Sequence, residues 1–70
     1  MEGETTTPIA QWDLAFAKKA SLKDVGYESG MHLLRMTVRE GKRITDVNFH
    51  AEAAQEIGEA MIQWAKAHQE

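Results

Sequence analysis

The chain has seventy residues, no cysteine, 43% hydrophobic side chains and a formal charge of −3, which excludes disulfide stapling and a thiolate zinc site. A chain this short buries only about 60% of the surface its unfolded form exposes, so self-association is the ordinary remaining source of stability, and a homodimer is expected. No apolar run approaches the roughly 20 residues that span a bilayer, and the amino terminus lacks a basic-then-apolar leader; the expectation is a cytoplasmic protein with no membrane partner.

Met1 to Thr7 is Glu, Gly and Thr after the initiator, too polar to repay the entropy of ordering, so residues 1–7 are expected as a mobile tail and residues 8–70 as a single domain. Thr7 and Pro8 suit a helix N-cap and first helical position, and Ile9, Trp12, Phe16 and Ala20 share a helical face. The same stretch alternates as a strand does, with Ala10, Trp12, Leu14 and Phe16 on one side. Leu14 falls on the polar side of the helix but on the apolar side of the strand, so a strand over Gln11–Ala17 is the preferred reading.

After the polar break Lys18–Ser21, Leu22–Glu28 reads as a strand in which Gly26 marks a bulge or a close backbone approach. Ser29 and Gly30 suit a two-residue hairpin turn. Met31–Glu40 alternates Leu34, Met36 and Val38 with Leu33, Arg35, Thr37 and Arg39, the pattern of a central strand with one buried face. Glu40 and Gly41 suggest a second tight turn, and Lys42–Phe49 runs back. With two-residue loops at both turns, Val25 opposes Leu34 and Leu34 opposes Val47. Val25, Tyr27, Leu34, Met36, Val38, Val47 and Phe49 then share a face, while on the other Arg35 stands between Asp24 and Asp46. A three-residue loop with Gly41 in a left-handed bulge is the competitor, and it turns the last strand over.

From Ala51 the period changes to that of a helix running to about Ala67, with Trp64, Ala53, Met61, His68, Ala54 and Ala60 around Ile57 on one side. His50 stands at the N-cap, Glu52 in the first turn and Lys66 and His68 near the end, as the helix dipole prefers. The predicted fold is α+β: a three- or four-stranded antiparallel meander with one carboxy-terminal amphipathic helix packed on one face.

Chemistry finds little footing. His32, His50 and His68 show no spacing that presents two ligands to one ion, and structural roles are expected: His32 packing beside Tyr27 and Phe49, His50 capping, His68 offsetting the dipole. Ser21 and Ser29 sit in turns without a nucleophile elbow, Asp24 and Asp46 flank Arg35 on an open face, and the five glycines form no phosphate loop. A non-enzymatic protein with no cofactor and no bound metal is expected. Its function is read as a self-associating interaction module, with a protein partner as an option, through Leu33 and Ile44 on the outer sheet face or the helix stripe Gly58, Ile62 and Ala65. The alternative is a single-stranded nucleic-acid-binding dimer, whose basic hairpin tip of Lys18, Lys19, Arg39, Lys42 and Arg43 tracks phosphate while Trp12, Phe16 or Tyr27 stacks bases. The layout is similar to that of dimeric single-strand-binding transcriptional coactivators, although the net negative charge counts against this reading.

Tyr27-Glu28-Ser29-Gly30-Met31-His32-Leu33-Leu34-Arg35, then Arg39-Glu40-Gly41-Lys42-Arg43-Ile44-Thr45, then an alanine-rich helix opening together resemble a family of small bacterial proteins of unknown function, over roughly residues 27–61. Family members often carry an aspartate where this chain has His50 and a proline where it has Ala51. The resemblance implies a bacterial cytoplasmic protein with no assigned activity.

Overall fold

The computed structural model describes residues 3–69. Strands β1 (Glu4–Leu14), β2 (Lys18–Tyr27), β3 (His32–Glu40) and β4 (Arg43–Phe49) precede helix α1 (Ala51–His68). The strands pair in chain order as one antiparallel meander, so the α+β class and the meander stand as expected from the alternating pattern.

The amino-terminal strand is longer than its composition suggests. Glu4–Thr7, expected in a mobile tail, pair with Tyr27–Asp24 as the first residues of β1, which moves the domain's start ahead of residue 8; Met1 and Glu2 lie outside the described residues. β-Branched threonines fit a pleated surface, and pairing with β2 supplies the ordering energy that composition alone withheld. The helical option for Ile9–Ala20 is not taken. Pro8 is tolerated because β1 is an edge strand, and a register shift between Pro8 and Ala10 leaves Ile9 as an extra residue that increases the local twist.

Both later turns differ from their expected registers. Tyr27 N donates to Met31 O at 2.9 Å and Gly30 N to Tyr27 O at 2.9 Å, closing a loop over Glu28, Ser29 and Gly30. Gly30 takes φ 93°, the left-handed position that ends a three-residue hairpin loop and that only glycine occupies without a Cβ penalty. The one-residue slip turns β2 over: Val25 opposes Leu33, and Asp24 opposes Leu34. At the second hairpin Glu40 pairs with Arg43, so the two-residue loop is Gly41 and Lys42, with Gly41 at φ 60°. Partners slide by two, which preserves faces: Leu34 meets Phe49, and Arg35 meets Asn48 in place of Asp46.

Two dissimilar faces result. Trp12, Leu22, Leu34, Met36, Val38, Val47 and Phe49 share the apolar face; Lys19, Ser21, Lys23, Val25, Arg35, Thr37 and Arg39 share the charged face. Val25 and Tyr27, expected among the apolar set, lie on the charged one. The Asp24–Arg35–Asp46 ladder is therefore not formed. Arg35 instead donates from Nε to Asn48 at 3.1 Å and from Nη2 to Glu4 at 3.3 Å, a bridge that crosses β2 at Val25 and helps make Val25 fully buried.

Val25 is the single buried residue among those described. The helix touches the sheet chiefly at β3 and β4 and buries none of its residues; Ala54, Ile57 and Gly58 are half-buried, whereas Met61, Ile62 and Trp64 are exposed. The helix covers the apolar face only in part, because Trp12, Leu14 and Val47 remain open on that face. The Cα radius of gyration is 14.1 Å, against about 11 Å for a compact domain of this length. The chain is a slab of 48 × 30 × 15 Å without an interior of its own.

Candidate functional site

Each face offers a surface of different chemistry. The apolar face carries the cross-strand pairs Leu22–Met36, Ala20–Val38, Met36–Val47 and Leu34–Phe49, with Trp12 half exposed beside Ala20. Its ends are polar. At one, Glu40 faces Lys18 across β2, with a 2.9 Å ion pair, and Arg43 across β4. At the other, Asp24 accepts from His32 Nδ1 at 3.0 Å, and the imidazole lies against Gly26, where a Cβ would approach its Cε1 to 3.0 Å. Gly26 is thus a close-approach glycine, and His32 packs there in place of the expected Tyr27 and Phe49 neighbourhood. Both partners of the His32–Asp24 hydrogen bond are substantially exposed, so it is a surface contact of small worth.

On the charged face, β2 and β3 set like charges directly opposite one another: Lys19 faces Arg39 and Lys23 faces Arg35, with Ser21 and Thr37 between. Opposed like charges destabilise an antiparallel pair. Arg35 is offset by Glu4, and Lys19 is 4.0 Å from Asp13 in an exposed contact; Lys23 and Arg39 pair with no carboxylate among the described residues. Thr37 Oγ1 donates to Asp46 at 2.7 Å. Pro8–Asp13 of β1 and Lys19–Lys23 of β2 line a groove of about 570 Å³, to which β3 contributes Thr37 and Arg39.

The residues singled out in sequence are divided between surfaces. Lys19 and Arg39 lie on the charged face, Lys18 and Arg43 at the edge of the apolar one, and Lys42 in the second turn, so the five stand at one end of the sheet but are divided between its faces. Leu33 and Ile44 do share a face but lie towards opposite ends of β3: Leu33 is half-buried opposite Val25, and Ile44 is exposed opposite Arg39. Gly58 and Ala65 are half-buried and Ile62 exposed, and the space beside Gly58 is open. Lys23 and Arg35 were the cations missed, because the two-residue turn put Arg35 beside Asp24; Gly30 as a left-handed third loop residue was the signal that places them.

Two further features stand apart from the faces. Phe16 and Ala17, at the tip joining β1 to β2, adopt φ 63° and 59°, and Phe16 is 89% exposed. His50 makes no side-chain cap, contrary to expectation. His68 stacks on Trp64 with ring centroids 4.3 Å apart, its Nδ1 2.8 Å from the Trp64 carbonyl oxygen. Among the described residues no cluster of three His, Cys, Asp or Glu could hold a metal ion, and no helix is long and apolar enough to cross a membrane.

A family model described as "Family of unknown function (DUF6967)" matches residues 3–67. The chain belongs to this family. The match runs from the residue before β1 into the last turn of α1, so the DUF6967 unit is the whole meander and helix, including the segment Glu4–Thr7. No curated protein and no solved structure matches the chain.

Proposed function

We propose that this DUF6967 chain is a self-associating, non-enzymatic binding module in which two copies cover each other's apolar sheet face and exposed helix residues. The observation that carries this reading is surface area. The chain exposes 5843 Å², whereas a compact monomer of 7.9 kDa exposes about 4,400 Å². The excess, roughly 1,400 Å² per chain, is what each partner buries in a large, obligate-type interface. The residues that carry it are apolar: Trp12, Leu14 and Val47 on the sheet, Met61, Ile62 and Trp64 on the helix. A second copy is the fitting occupant, since it brings an equal excess of the same kind and an isologous contact pairs sheet and helix twice over.

Sedimentation equilibrium over a wide concentration range, in low and high salt, tests the reading. A salt-resistant dimer is expected because apolar burial is not screened. A folded, strictly monomeric chain at all concentrations overturns it.

A further inference from the structure

The charged face poses a separate question: why a marginal domain opposes cations at two positions of its central hairpin. Lys19–Arg39 and Lys23–Arg35 are separated along the strands by four residues, about 13 Å. Four of the eight basic residues of the chain gather there with three carboxylates, Glu4 on Arg35, Asp13 near Lys19 and Asp46 on Thr37, while Glu52, Glu56 and Glu59 are carried away on the helix. Within the groove three cations, Lys19, Lys23 and Arg39, stand against one carboxylate, Asp13. The hydroxyls of Ser21 and Thr37 lie between the cation pairs. The overall charge of −3 thus hides a local positive surface.

We propose that this groove binds the phosphodiester backbone of a single-stranded nucleic acid, with phosphates at the Lys19–Arg39 pair and at Lys23 and with Ser21 donating between them. Charge complementarity selects a polyanion. The spacing selects a chain with repeated charges, since one small phosphate cannot reach both places. Lys19 and Arg39 are exposed and Lys23 half-buried, the character of a track for a backbone rather than of a closed phosphate pocket. Bound phosphate relieves the repulsion at Lys19–Arg39 and supplies the counterion that Lys23 lacks. The groove is built by β1, β2 and β3 of one chain, so the proposal does not depend on the dimer. It differs from the hairpin-tip alternative in its residues: Lys23 enters, and Lys18, Lys42 and Arg43 leave.

The test is fluorescence anisotropy of a labelled oligo(dT) of about 12 nucleotides, titrated with the full chain at several salt concentrations. Binding at low salt is expected, weakening as salt rises. The double variant Lys23→Glu with Arg39→Glu is expected to bind roughly tenfold or more weakly, with a salt slope smaller by about 1.4 for the two lost phosphate contacts. Lys42→Glu with Arg43→Glu is expected to stay within about twofold, as screened charges outside the groove. Each groove substitution places a carboxylate opposite a cation, so the fold is retained; circular dichroism checks this, and Lys23→Gln with Arg39→Gln serves if the reversal perturbs it. Absence of binding at low salt, equal weakening by groove and tip variants, or displacement of the strand by inorganic phosphate at matched phosphate concentration overturns the proposal.

Discussion

The two faces of this sheet share the same strands, yet they are unstable for opposite reasons. Leu22 and Lys23 are neighbours in β2, but Leu22 opposes Met36 on a face that water should leave, and Lys23 opposes Arg35 on a face that repels itself. The apolar face is covered only in part; on the charged face Lys23 and Arg39 pair with no carboxylate among the described residues. A one-residue step along a strand therefore separates a surface suited to another copy of the chain from one suited to an anion. On the two proposals made above, the isolated chain is half of two contacts rather than a finished domain.

Leu22→Glu breaks the comparison hardest. A carboxylate in the centre of the apolar face is expected to cost several kcal/mol of the dimer's stability, about 2–5 by analogy with loss of a buried large side chain. It should appear as monomer in sedimentation and as a lower urea midpoint, and an unchanged mass would refute the proposed interface. Val25→Ala comes next, at about 2 kcal/mol. Val25 is covered within one chain, so its loss is expected to lower the urea midpoint by the same amount at every protein concentration.

Ala17→Gly probes the tip that joins β1 to β2. Because Ala17 sits at φ 59°, the substitution is expected to stabilise the chain by about 1 kcal/mol through relief of the left-handed penalty, read as a raised thermal midpoint. The smallest effect is Lys23→Glu, which turns a repulsive cross-strand pair into an attractive one and is expected to stabilise by about 0.5 kcal/mol. Thermal melts at low and high salt check it, since the gain should shrink with screening. A loss of stability would show that the charged face is not self-repelling.

Much of the fold was legible in particular residues. The alternation of Leu34, Met36 and Val38 marked the central strand, and the change of period after His50 marked the helix. Register was not legible, because Ser29-Gly30 satisfies a two-residue turn as readily as Glu28-Ser29-Gly30 satisfies a three-residue one, and the choice flips a whole strand. That single ambiguity displaced Val25 and Tyr27 from their face and hid the opposition of Lys19 and Arg39. Glu4–Thr7 were missed for another reason. Their composition resembles a tail, and only the availability of β2 as a partner makes them a strand.

The sequence by itself determined most element types, since periodicity is a local property of side-chain spacing, and it left seventy residues without cysteine a thin margin for a core. The tertiary structure decided which side chains share a face, because hairpin loop length and the left-handed glycine positions set register between strands. It decided also that the helix leaves part of the apolar face open. Helical periodicity reports an apolar stripe, but where that stripe packs depends on the direction in which the chain leaves β4, and α1 lies chiefly against β3 and β4 with Met61, Ile62 and Trp64 still in water.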